Sequence, residues 1–214
     1  SIDNPKNLQI DSVNYYLNNK TIPEVLDLHK NKLGEHNITA KIYSEGNKRT
    51  LKSDVTFLSN KPPKVYTFKI INEYPHDITS YTQGLEFHNG ILYESTGQYG
   101  ESKLRKLDYK TGNVLKNNDL DKKYFGEGLT IYNNKIYQLT WQKEIGFVYD
   151  IETFKKIDSF NYVKSEEGWG ICNDGETLYK SDGSEKIWTL NSTTLEEIDY
   201  IQAYTNKGKV IGLN

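Results

Sequence analysis

The sequence holds one cysteine, Cys172, in 214 residues. No intrachain disulfide can form, and the Ile171-Cys172 setting reads as an inert thiol in an apolar strand. No apolar run approaches the roughly 20 residues of a membrane span. No secretory leader or lipid-anchor motif is present; because the chain opens on Ser1, it reads as a processed or trimmed product. An excess of charge of one sign is also missing. Lys and Arg total 27 against 29 Asp and Glu, a net charge of −2, so there is no electrostatic footprint for nucleic acid. The four histidines, His29, His36, His76 and His88, show no i,i+4 pair, so no histidine-based zinc site is expected. Three Asn-x-Ser/Thr sequons, at Asn19, Asn37 and Asn191, are what Asn-rich loops yield by chance.

Aromatics are plentiful. Apolar residues make up 36% and mean hydropathy is −0.75, little for a core. The 17 tyrosines offset this, since each buries a ring and keeps a polar tip. Such a Tyr-rich, turn-dense chain favours strands. Residues 1–62 contain a strand-like run over 10–17 and alternation at 37–43 and 54–58, an expected hairpin with period-two burial. Residues 22–33 fit a short helix or more strand. The whole reads as a small β-sandwich-like module, with Lys61-Pro62-Pro63-Lys64 as a stiff connector to a second domain over 63–214.

That second domain repeats itself. Tyr81-Thr82-Gln83-Gly84-Leu85 returns as Phe125-Gly126-Glu127-Gly128-Leu129, and again as Glu166-Glu167-Gly168-Trp169-Gly170. Taking Gly84, Gly128 and Gly168 as equivalent, the units are 44 and 40 residues apart. Leu92-Tyr93 and Ile136-Tyr137 begin eight residues after their glycines. Leu178-Tyr179 comes two residues later, which a longer Asn173-Asp174-Gly175 turn would absorb. Leu107-Asp108, Tyr149-Asp150 and Leu190-Asn191 recur in phase. A period of about 40–45 residues with several short strands per unit is the signature of β-propeller blades. Val65–Asn72 reads as the outermost strand of a blade whose other strands come from elsewhere, closing the ring. Val210–Asn214 reads as the entry to a fourth unit. Known propellers use at least four blades, so the ring is expected to be incomplete here and these residues unstable alone, with 65–72 an unpaired edge.

The residues before the repeat glycines are Gln83, Glu127 and Glu167, with Asn214 at the equivalent place in the fourth unit. Equivalent positions of inner strands face one central cavity, and Tyr81, Phe125, Trp141 and Trp169 would surround it. Trp141 stands where the neighbouring units carry Gly97 and Gly183, so the repeat itself does not require it. A carboxylate among such rings is desolvated and gains proton affinity, which suits acid–base work near neutrality. The plainer reading has the polar residues capping strands and the aromatics packing between blades, as Trp188 is expected to do.

The motifs Tyr81–Leu85, Glu94-Ser95-Thr96-Gly97, Phe125–Thr130, Leu139-Thr140-Trp141 and Glu167–Gly170 resemble the plant and bacterial type of glutaminyl cyclase, also called glutamine cyclotransferase. The resemblance runs in order from about Val65 to Asn214. The N-terminal segment is similar to the Ig-like extension of some bacterial members. It implies an all-β, five-bladed propeller, of which about three blades are present, after an Ig-like domain. The implied reaction is metal-independent conversion of the N-terminal glutamine of peptides and proteins to pyroglutamate, with loss of ammonia. Glu127 matches the family's acid–base residue. Gln83 and Asn214 match residues that hydrogen-bond the substrate. Tyr81, Phe125, Trp141 and Trp169 match the aromatic wall, Tyr81 standing where the plant enzyme has Phe. A lysine and a further tryptophan of the family pocket would come from the missing blades. No catalytic cofactor is implied, while a structural calcium in the central channel is. A monomer in the periplasm, cell envelope or secreted fraction is expected. A propeller that binds peptides without turning them over, or an adhesion protein acting through its Ig-like part, are the alternative readings.

Overall fold

In the computed structural model, which describes residues 2–5 and 7–214, asparagine and glycine set the tightest turns. Asn18-Asn19, Glu45-Gly46, Asn89-Gly90 and Asn133-Asn134 each place two successive residues at positive φ. That is the two-residue hairpin turn whose twist matches that of the flanking strands.

The chain folds as two units. The first, reaching to Pro63, also takes in Tyr204–Lys209, which the sequence places in the second domain. It holds β1 (Ser12–Leu17), β2 (Lys20–Ile22), β3 (Gly34–Ser44) and β4 (Asn47–Phe57), in the order β2-β1-β3-β4. Residues 22–33 contribute the end of β2 and a single 3-10 turn, Leu28–Lys30, capped by Asp27. The described residues of this unit make one sheet rather than a sandwich, so β4 is exposed along nearly its whole length. Its Lys48, Arg49 and Lys52 suit an open edge. His36 stacks on Phe57 and is held at both ring nitrogens: Nε2 donates to the Lys32 carbonyl and Nδ1 accepts from Asn18, each at 2.8 Å.

The second unit, Lys64–Ala203 with Val210–Asn214, contains three consecutive four-stranded antiparallel sheets. Blade 1 is β5 (Thr82–His88), β6 (Ile91–Thr96), β7 (Lys103–Leu107) and β8 (Val114–Asp119). Blade 2 is β9 (Gly126–Tyr132), β10 (Lys135–Thr140), β11 (Ile145–Asp150) and β12 (Lys156–Asn161). Blade 3 is β13 (Ile171–Asn173), β14 (Leu178–Ser181), β15 (Lys186–Leu190) and β16 (Glu197–Gln202). The recurring Asp108, Asp150 and Asn191 accept backbone N–H groups in the β7–β8, β11–β12 and β15–β16 turns. Two apolar clusters join neighbouring blades. Tyr93 and Leu104 pack with Leu129, Ile136, Phe147 and Tyr149, and Tyr137, Leu139 and Val148 pack with Leu178, Trp188 and Leu190. Trp188 is thus an interior packing residue, edge-on to Tyr200.

Inner strands meet through glycine. A Cβ on Gly84 would lie 2.7 Å from the Leu129 nitrogen, one on Gly128 2.6 Å from the Trp169 oxygen, and one on Gly170 2.7 Å from the Asn214 carbonyl carbon. The third repeat glycine is therefore Gly170, not Gly168. From Gly84, Gly128 and Gly170 the distances to Tyr93, Tyr137 and Tyr179 are all nine residues, and no longer turn is needed. The Gly128 N–H also donates to the Trp169 carbonyl at 2.7 Å, so backbone lies against backbone and neither side can yield. Gly128→Ala is expected to destabilise the chain by about 1–3 kcal/mol, read as a lower denaturant midpoint.

Residues 65–72 form no strand. Val65, Phe68 and Ile71 are 87%, 91% and 84% exposed. The alternation that reads as a strand lacks a partner to complete its hydrogen bonds, and an isolated strand has no stability of its own. Val210–Asn214 likewise forms no strand; Gly212 turns at a φ of 71° and its N–H donates to the Gly183 carbonyl at 2.8 Å. Leu85 and Phe87 on β5 and Ile198 and Ile201 on β16 are exposed, leaving apolar side chains uncovered on both terminal blades. No helix among the described residues is long and apolar enough to cross a membrane.

Candidate active site

Each blade enters its inner strand through a loop; a buried polar side chain on the second strand holds that loop in blades 1 and 3, and in blade 2 the equivalent side chain reaches across to blade 1. The position lies ten residues beyond the inner-strand glycine and carries Glu94, Gln138 and Lys180, none of them exposed. Glu94 accepts from His76 at 2.8 Å and Thr82 at 2.6 Å. Gln138 donates to Ser95 at 2.7 Å and accepts from Tyr149 at 3.1 Å. Lys180 Nζ reaches the Glu167 carbonyl at 2.8 Å, Glu197 Oε1 at 3.0 Å and Ser165 Oγ. Glu197 in turn accepts from the backbone of Val163, Lys164 and Ser165. These contacts hold the chain ahead of the inner-strand glycine in blades 1 and 3; Glu94 Oε2 itself has no hydrogen-bond partner and lies 3.7 Å from the Arg105 guanidinium.

Those residues line the inner end of the blades. Gln83, Glu127 and Trp169 occupy the same repeat position. Glu167, expected to complete the polar ring, instead lies two residues earlier in the register, and an indole takes its place. Gln83 and Asn214 line one open cavity of about 470 Å³, together with Gly84, Gly128 and Gly170. Cys172 lines the same cavity and is exposed, so it is not the core thiol that its neighbours suggest. It sits on β13, where Ile171 is buried and Cys172 is on the open side. Burial and the nearby Glu86 and Asp174 carboxylates push its thiol pKa up, which disfavours the reactive thiolate.

Glu127 is 6% exposed, and among the described residues no protein donor reaches its carboxyl. Burial chiefly, and the charge of Glu167 secondarily, push its pKa up to about 8. Loss of hydration penalises the charged form, and a like charge nearby adds to that penalty. Folding therefore favours the protonated acid, and the chain should lose stability as pH rises from about 4.5 towards 8. Glu127→Gln removes this penalty. The variant should melt several degrees higher than the parent at pH 9 and match it at pH 4, by calorimetry.

The aromatic residues come together, but neither they nor Glu127 line the cavity that holds Gln83 and Asn214, where the sequence predicts one shared cavity. Phe125 stands edge-on to Tyr81 at 6.1 Å between ring centroids and to Trp141 at 5.6 Å. Tyr99, with no motif to mark it, meets Phe125 at 5.6 Å. Gly97 leaves room for the Phe125 ring and Gly183 for Trp169. In blade 2 the equivalent position is Trp141 itself, which projects into the group. Glu167 Oε2 accepts from both Trp141 Nε1 at 2.8 Å and Trp169 Nε1 at 2.7 Å. Gln142 donates to its other oxygen at 3.3 Å. These bonds hold the Glu167 carboxyl below its usual pKa, against burial and the charge of Asp182.

The sequence model described as Glutamine cyclotransferase matches residues 37–214. The chain belongs to that family. It is 36% identical over 137 residues to the glutaminyl-peptide cyclotransferase of Arabidopsis thaliana, covering 64% of this chain and 42% of the relative. The crystal structure of Myxococcus xanthus glutaminyl cyclase is similar with a TM-score of 0.60 and 29% identity, over 67% of this chain and 60% of the other. The chain thus spans less than two thirds of either relative. The three sheets are propeller-type blades of this family's fold. Among the described residues, no group of three or more His, Cys, Asp or Glu could hold a metal ion, so these residues do not fit a channel calcium by their acidic side chains. Glu86, the acidic residue on β5, is instead taken up by Thr130 Oγ1 at 2.7 Å and Ile131 N at 3.0 Å.

Proposed function

We propose that this chain carries the acid–base half of a glutaminyl-peptide cyclotransferase acting on peptides and proteins with N-terminal glutamine. The observation that carries the proposal is Glu127: buried, unclaimed by any protein donor, raised in proton affinity, and two residues along the chain from Phe125 of the aromatic group. A peptide α-amine has a pKa near 7.7–8.0, close to that of Glu127 in the folded chain. Proton transfer between the two is then nearly balanced. With an ordinary glutamate it would be uphill by about 10³-fold.

In this reading the ammonium end of the substrate enters against Glu127, which takes one of its protons. The freed amine nitrogen attacks the side-chain γ-carbonyl and a new C–N bond closes the five-membered ring. Glu127 returns the proton to the side-chain nitrogen, the old C–N bond breaks, ammonia leaves, and the ring nitrogen gives its remaining extra proton to the freed Glu127 carboxylate. Protonation decides the outcome, because an amide anion is too poor a leaving group to depart. Gln83 and Asn214 are placed to bind the amide and backbone of the substrate. Tyr81, Phe125, Trp141 and Trp169 hold the glutamine side chain folded and shed its water.

Further blades beyond these three would cover the exposed apolar faces and pair with residues 65–72, completing a five-bladed ring. The first unit would be an Ig-like extension, and the protein a monomer of the periplasm, envelope or exterior. No metal takes part in the chemistry in this reading, and a channel calcium would draw on ligands outside these residues. The test is mass spectrometry of a Gln-initiated peptide incubated with the full-length chain in EDTA. Loss of one ammonia without gain of water supports the proposal. An unchanged peptide that still binds would favour a non-catalytic propeller instead.

A further inference from the structure

We propose that Glu167 is a positioning residue of this site, fixing both indoles of the aromatic wall on one carboxylate oxygen and keeping that carboxylate charged among neutral donors. The proposal rests on the cyclotransferase reading for its kinetic consequences, but not for its geometry. An indole has a single N–H donor, so the direction of that bond fixes the plane of the ring. Trp141 follows the second strand of blade 2 and Trp169 leads into the first strand of blade 3. Glu167 Oε2 is the one atom bonded to both. Trp188 shows the contrast: its N–H goes to Asp182 of its own blade at 2.7 Å, and its ring packs in the interior.

The clamp is itself held. The Glu167 carbonyl accepts from Lys180 Nζ at 2.8 Å and Ser165 Oγ at 3.3 Å. The Gly168 N–H donates to the Trp141 carbonyl at 3.1 Å, and Gly168 has no room for a Cβ against the Tyr162 hydroxyl. The Gly168 backbone and the Glu167 carboxylate thus both tie blade 3 to Trp141.

The charge has few rivals. Of the titratable groups that bear on Glu127, Glu167 carries charge, while burial keeps the Tyr162 phenol protonated. Lys180 stands over the Tyr162 ring at 4.0 Å, but its ammonium is matched by Glu197. Asp182 opposes ionisation of Glu167, while the two indoles and Gln142 favour it more strongly. A carboxylate held only by neutral donors keeps its full charge.

The two roles separate by substitution in the full-length chain. Glu167→Gln keeps an acceptor oxygen and loses the charge; Glu167→Ala loses both. Among the indole N–H signals in proton–nitrogen NMR, three belong to Trp141, Trp169 and Trp188. Two should move upfield in Glu167→Ala, with Trp188 unmoved as an internal reference, and both should stay near their places in Glu167→Gln. In kinetics, Glu167→Gln should move the acid limb of kcat/KM down by about one pH unit. Glu167→Ala should in addition raise KM about 10-fold. Unmoved indole signals in Glu167→Ala would overturn the clamp whether or not the protein is a cyclase. An unmoved acid limb in an active Glu167→Gln would overturn the electrostatic role. A parent that binds but does not cyclise would contradict the cyclotransferase reading, and the indole signals would still decide the clamp.

Discussion

Glu127→Gln is expected to lower kcat for cyclisation by about 10²–10⁴-fold, the usual worth of a positioned acid–base group. The amide is nearly the same size, so the aromatic wall and the inner-strand contacts should survive. What disappears is the ability to take a proton from the amine and deliver it to the departing nitrogen. Glu127→Asp should retain part of the activity, because it keeps the carboxyl while drawing it back from the substrate. Steady-state kinetics on a Gln-initiated peptide checks both. A glutamine variant within threefold of the parent would remove Glu127 from the chemistry.

The largest effect on stability is expected at Lys180. Its ammonium and the Glu197 carboxylate are 0% and 1% exposed and 3.0 Å apart. Lys180→Met would leave Glu197 charged and buried without its partner, at a cost of about 3–5 kcal/mol. Its bonds to Val163, Lys164 and Ser165 remain, which favours the lower end. Even so, Tm should fall by on the order of 10 °C. Lys30→Ala breaks an ion pair with Asp27 whose members are 84% and 51% exposed, and should change stability by less than about 1 kcal/mol. Combining Lys180→Met with Glu197→Gln should cost less than the sum of the two, because each removes the same pairing. Additive effects would mean that the pair is not coupled.

Much of this was open to reading in the sequence. Spacing alone marks three blades, because the inner-strand glycines and the turn-capping Asp108, Asp150 and Asn191 recur in phase. Glu127 stands out for the same reason, as does Trp141, an indole the repeat does not demand. The register of blade 3 was misread because Glu167-Gly168 imitates Glu127-Gly128 locally. The nine-residue spacing from Gly170 to Tyr179 held the right answer, and only the contact between Gly128 and the Trp169 backbone made it decisive. Cys172 misled because apolar neighbours in sequence do not say which face of a strand is covered. Residues 65–72 alternate as a strand does, but pairing belongs to the partner as well. Lys180 looks like any surface lysine in sequence. Its clue was its place ten residues after Gly170, matching Glu94 and Gln138, and that clue needed the corrected register first.

Burial and charge together turn an ordinary glutamate into a base matched to a peptide amine, and that claim can be read directly. Carbon-13 NMR of the side-chain carboxyls, in the full-length chain beside Glu127→Gln, identifies the Glu127 signal by its loss and follows it with pH. A midpoint near 8 is the predicted result. A midpoint near 4.5, the value of an unperturbed glutamate, would contradict the account.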